Sequence, residues 1–245
     1  MTAARLLAEL SLTWLDVAAF LSFILAWAGY AWFAEWHARS VPSLHSTMDG
    51  YRREWMLRMI ERDNRMVDVN IMRNLTRSSQ FFASTTMLVL GALLALLGYV
   101  QQAMDVVSGL PFTVKASQRL LEIKMILMIL IFVYAFFKFS WAIRQFGNCS
   151  TLVGAAPRAP KENPEQYALQ IERIALITSY ASTNFNAGLR AYYFALAAMT
   201  WFLHPYLMLI ATAWVIYILY HREFASQTLK ALLVGDSPEN TSPQG

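Results

Sequence analysis

Apolar positions in this chain gather into long runs, and the runs set its elements. Leu12 to Phe33 is the first. At 1.5 Å per residue it suffices to cross a hydrocarbon layer of about 30 Å. Phe81 to Val100 and Leu120 to Trp141 are the second and third. Leu189 to Tyr220 exceeds the length of one span, and His204-Pro205 lies near its middle. Proline disfavours helical backbone in the residue before it and removes a hydrogen bond inside a helix. This run reads as a tight hairpin, with one long kinked helix as the alternative. Five spans follow, at about 12–34, 80–101, 120–143, 188–203 and 205–221. Ala26-Trp27-Ala28 has the look of a signal-peptide cleavage site, but the apolar run continues to Phe33 and the N-tail, with Arg5 and Glu9, is barely basic. Trp14 at one end of the first span and Trp32 and Trp36 at the other suit an aromatic belt.

Between spans one and two, no Gly or Pro occurs from Tyr51 to Leu90. The expectation is one helical rod from Tyr51 to Val100, ~75 Å long, with its cytoplasmic part over 50–79. Glu54, Arg58, Glu61, Arg65 and Asp68 share a face in alternating sign, a solvated ladder. Met56, Met59, Ile60, Met66 and Val67 form the opposite, apolar stripe. Asp63, Asn70, Asn74 and Arg77 fall within about 60° of one another in that stripe. Polar groups there need partners: either a network that docks helices, or a ligand or ion vestibule. Gln101 to Gln118 and Phe146 to Asn163 read as loops.

Asn163-Pro164-Glu165 opens a second long helix, over 164–187, with a cap, Pro at the first position and an early acid. Glu172, Ser179, Thr183, Asn186 and Arg190 lie on one side of it. The expectation is that the two rods clasp below the bilayer through these polar seams; the alternative is that the second seam faces water. Ser84, Thr85 and Thr86 can bond back to the preceding turn, and Gly91 and Ala95 form a small-xxx-small pair. Lys138, near the end of span three, can snorkel to the interface. The chain from 231 to 245 is rich in Pro, Ser, Gly and Asn and reads as a disordered tail.

Composition agrees: of 245 residues, 57% are hydrophobic, more than a soluble domain of this size readily buries. Residues 1–230 read as a single all-α membrane domain, an integral membrane helical bundle with five transmembrane spans, two of them extended into long cytoplasmic helices. The lone Cys149 excludes an internal disulfide, and His37, His45, His204 and His221 lack metal-site spacing, so no catalytic, metal or cofactor residue is expected. Net charge is +4 but uneven. Arg39, Arg52, Arg53, Arg58, Arg62, Arg65, Arg73 and Arg77 precede span two, and Arg144, Arg158, Lys161, Arg173 and Arg190 precede span four. The loop before span three has only Lys115 and Arg119. The positive-inside rule then puts the N-terminus outside and the C-terminus in the cytoplasm. The arginines alternate with acids, so no nucleic-acid groove is implied.

Arg53-Glu54-Trp55-Met56, Phe81-Phe82-Ala83-Ser84-Thr85-Thr86, Tyr134-Ala135-Phe136-Phe137-Lys138-Phe139 and the run Asn184 to Phe194 resemble the bacterial and plant membrane family catalogued as domain of unknown function 599. The resemblance implies a bacterial inner-membrane protein and carries over no catalytic residue. Three functions remain open: a non-enzymatic protein that binds a protein partner or a second copy, a small transporter or channel, and a lipid-acting enzyme. The candidate site residues are Asp63, Asn70, Asn74, Arg77, Lys138, Asn186, Arg190 and His204, and the lipid bilayer is an expected partner.

Overall fold

The computed structural model describes residues 13–38, 40–109, 117–156 and 164–234. The N-tail, Arg39, Lys115, Arg158, Lys161, the Asn163 cap and the tail from Gly235 lie outside the described residues. Among those described there is no strand. The helices are α1 (Trp14–His37), α2 (Leu44–Glu61), α3 (Met66–Gly98), α4 (Val100–Ser108), α5 (Gln118–Ala155), α6 (Pro164–Met199), α7 (Pro205–Phe224) and α8 (Gln227–Leu232), with one 3-10 turn at Thr200–Phe202. Side-chain caps set several starts. Thr13 and Asp16 form a reciprocal capping box on α1, Ser43 and Ser46 one on α2, and His204 caps α7. The helices containing the first three spans and α7 are long and apolar enough to cross a membrane.

The expected rod from Tyr51 to Val100 is broken: α2 ends at Glu61 and α3 begins at Met66. Neither Gly nor Pro causes the break. Asn64 Oδ1 accepts the Met66 backbone N–H at 3.0 Å, and Arg65 donates to the carbonyls of Val153 (3.0 Å) and Ala156 (2.6 Å) at the end of α5. Those carbonyls lack intrahelical donors, so tertiary bonds outweigh the local helical preference. The expected loops also differ. Residues 100–108 are helical, and α5 continues through Gly147 and Gly154 to Ala155. Glycine costs a helix about 1 kcal/mol relative to Ala; here Phe146, Cys149 and Val153 are buried on the same stretch and offset it.

Two cores stack along the bundle. One joins Phe23 of α1, Phe139 of α5, and Phe194 and Trp201 around the end of α6. The other joins Met56, Met59 and Ile60 of α2, Met72 of α3, Phe146 and Cys149 of α5, and Ile174 of α6. After α6 the chain turns back at His204-Pro205, where His204 is extended (φ −157°, ψ 140°). Arg222 of α7 lies 5.3 Å from the Tyr193 ring centroid, so α7 returns antiparallel along α6 as a hairpin rather than as a kinked helix.

Candidate functional site: a cationic cleft between α1, α2, α6 and α7

The polar seam of α6 meets α2. Arg53 pairs with Glu172, and His45 Nε2 lies 3.0 Å from Thr183 Oγ1. Thr183 spends its single proton on the Ser179 carbonyl at 3.0 Å. His45 Nε2 is therefore the donor, which leaves Nδ1 an acceptor in the neutral ring. Nδ1 is buried and has no hydrogen-bond partner among the described residues. The His45 backbone N–H donates to Glu223 Oε1 at 3.1 Å, tying the start of α2 to the end of α7.

These contacts leave a cleft of about 320 Å³, lined on one side by Tyr30 and Ala34 of α1, Met48 and Arg52 of α2, and Leu219 of α7. Asn186, Arg190, Arg222 and Glu223 complete its polar wall. Arg52 pairs with Asp49, and Arg222 bonds the Tyr193 hydroxyl. Arg190 is half-buried and makes no hydrogen bond or ion pair among the described residues. Three arginines face Glu223 and the adjacent Asp49, so the cleft keeps an excess of one positive charge. Tyr30 is 7% exposed, and its hydroxyl has no hydrogen-bond partner among the described residues. The arrangement can receive an acceptor-rich anion against Arg190, with Tyr30 as a further donor.

A family model described as "Protein of unknown function, DUF599" matches residues 18–228. The chain belongs to this family. No curated protein and no solved structure matches it. The DUF599 match covers every residue of the cleft.

In this DUF599 chain the sequence-derived candidates separate. Asn186 and Arg190 come together in the cleft. Lys138 does not join them: its Nζ donates to Asn184 Oδ1 at 3.3 Å and lies 5.6 Å from the Tyr134 ring, so it bridges α5 and α6 rather than snorkelling freely. His204 sits at the other end of the hairpin, where its Nδ1 accepts the Tyr206 backbone N–H at 3.2 Å. Asp63, Asn70, Asn74 and Arg77 are exposed, as are Met66 and Val67 beside them. The break at 62–65 resets the helical register, so the stripe expected to be buried turns outward. Asp68, read as part of the solvated ladder, is instead fully buried; Oδ1 accepts from Trp55 Nε1 at 2.7 Å and Arg62 at 2.9 Å. Of the ladder pairs, Glu54–Arg58 forms, while Arg65 turns to α5.

Sequence reasoning missed Tyr30, His45, Arg52, Arg222 and Glu223 as cleft residues. His45, Met48 and Arg52 recur at helical spacing on one face of α2, a signal that was present. Nothing in the local pattern around Tyr30 or Glu223 distinguishes them from other residues at span ends.

Proposed function

We propose that this chain is a non-enzymatic, multi-pass inner-membrane protein that binds an anionic, phosphate- or carboxylate-bearing ligand in the cleft. The observation that carries the reading is Arg190, a half-buried arginine on the wall of a cavity with no hydrogen bond or ion pair among the described residues. A half-buried guanidinium engaged in no hydrogen bond or ion pair keeps its donors for an incoming anion. Guanidinium also suits planar, bidentate recognition of phosphate and carboxylate.

In this reading α6 is the remaining span. It runs beside α1 from its end next to Trp201, which bonds Asp16, back to Arg190, which shares the cleft with Tyr30 and Ala34. Five crossings, with arginine concentrated before spans two and four, favour an external N-terminus and a cytoplasmic C-terminus. The cleft then opens at the cytoplasmic leaflet. A second role, docking of a protein partner or another copy, draws support from Met66, Val67, Val69 and Ile71, all exposed near the start of α3.

The anion reading is tested by thermal unfolding of the full chain in neutral detergent, with inorganic phosphate or chloride at matched ionic strength. Phosphate is expected to raise the melting temperature of the wild type and not of Arg190→Gln. Equal response to both salts, or an unchanged phosphate effect in the variant, overturns it.

A further inference from the structure

Beside the cleft lies a second cavity of about 450 Å³ between α1 and α7. Its walls are Leu25, Ala26, Gly29 and Phe33 on α1 and Ala213 and Ile216 on α7, with tyrosines at its edge. Tyr30 lines both cavities. A cationic cavity and an apolar groove therefore meet at one residue, where two apolar helices reach the arginine-rich end of the bundle. A small soluble anion has use for the first cavity only. A molecule with a charged head and a hydrocarbon tail has use for both.

Resting on the anion reading of the cleft, we propose that the ligand is a phosphate-bearing lipid. Its headgroup sits against Arg190, with Arg52 and Arg222 around it, and its acyl chain follows the groove between α1 and α7. The acyl chain adds packing contacts along the groove that a small soluble phosphate cannot make. Tyr30 stands at the junction, with an apolar ring for the chain and a free hydroxyl for the head.

The groove can be filled without disturbing the fold. A Cβ added at Gly29 meets nothing within 4 Å. Gly29→Leu therefore occupies the tail path and leaves the cleft untouched, and Ala213→Leu does the same from the opposite wall. The test measures binding to the full chain in maltoside micelles, using oleoyl lysophosphatidic acid, oleoyl lysophosphatidylcholine and glycerol 3-phosphate as probes. The wild type is expected to bind lysophosphatidic acid at least 30-fold more tightly than glycerol 3-phosphate, and more tightly than the choline lipid, which partitions into the same micelles. Gly29→Leu or Ala213→Leu should weaken lysophosphatidic acid at least tenfold and leave glycerol 3-phosphate unchanged. Arg190→Gln should weaken both phosphate probes. If the two phosphate probes bind equally and the groove variants alter neither, the lipid proposal falls while the anion reading stands. If neither phosphate probe binds, or Arg190→Gln changes nothing, the anion reading falls and the lipid proposal with it.

Discussion

The indole N–H of Trp201 donates to Oδ1 of Asp16 at 2.9 Å, across 185 residues of sequence. Lys124 Nζ closes on the same residue from α5, donating to the Trp201 carbonyl at 2.8 Å and lying 5.2 Å from its ring centroid. All three side chains are almost wholly buried. Three helices are thus pinned where α6 ends. Trp201→Phe keeps the aromatic bulk but leaves Oδ1 of Asp16 without its donor. The expected loss is about 1–3 kcal/mol, read from thermal unfolding in detergent. A variant as stable as the wild type would show that the contact does not hold the end of α6.

Asp68 and its exposed neighbours give a second contrast. Asp68→Ala removes the acceptor for Trp55 and Arg62 at the break between α2 and α3. It is expected to cost about 1–3 kcal/mol and to increase proteolysis between 61 and 66. Asp63→Ala, Asn70→Ala and Asn74→Ala should each stay within about 0.5 kcal/mol, because these side chains are exposed. The reverse ranking in chemical unfolding would contradict this account of the break.

Gly188 allows α6 to approach α5. A Cβ there lies 2.6 Å from Cε1 of Phe139. That ring is fully buried and held by Phe82, Phe185 and Tyr192, with centroids at 5.4, 5.7 and 5.8 Å. Gly188→Ala therefore overpacks the core, at about 1–3 kcal/mol. Adding Phe139→Leu should recover part of the loss. No recovery in the double variant would point to a backbone cause instead.

Cys149 lies on α5 beyond the apolar run that ends at Trp141, in the core shared with α2. Its Sγ is 2.8 Å from Thr178 Oγ1, whose own proton goes to the Ile174 carbonyl, so the thiol is the donor. Burial pushes the thiol up to about 11. Because the folded value is raised, the native state favours the protonated thiol. This contribution is complete below the unfolded value of about 8.5 and is lost as pH climbs toward the folded one. The native chain should resist maleimide at pH 7, and the unfolded chain should react. Cys149→Ala should lose stability less steeply than the wild type between pH 9 and 11, measured by chemical unfolding. Rapid native labelling would show that the lower core opens readily.

Local sequence determined the long apolar helices, the hairpin at His204-Pro205 and the back-bonding of Thr85 and Thr86 to Phe81 and Phe82. Apolar length, proline geometry and short hydroxyl side chains act within a few residues, so their signals survive without a fold. The seam of α6 was legible for the same reason: Glu172, Thr183, Asn186 and Arg190 share one face by helical period alone. Only the tertiary structure decided what that seam meets. Arg65 reaching the end of α5 broke the first rod and turned Asp63, Asn70 and Asn74 outward, while burying Asp68. The cleft joins Tyr30, His45, Arg190 and Glu223, residues far apart in the chain. Such a site depends on how helices dock, and docking is settled by packing and long-range hydrogen bonds that no local period encodes.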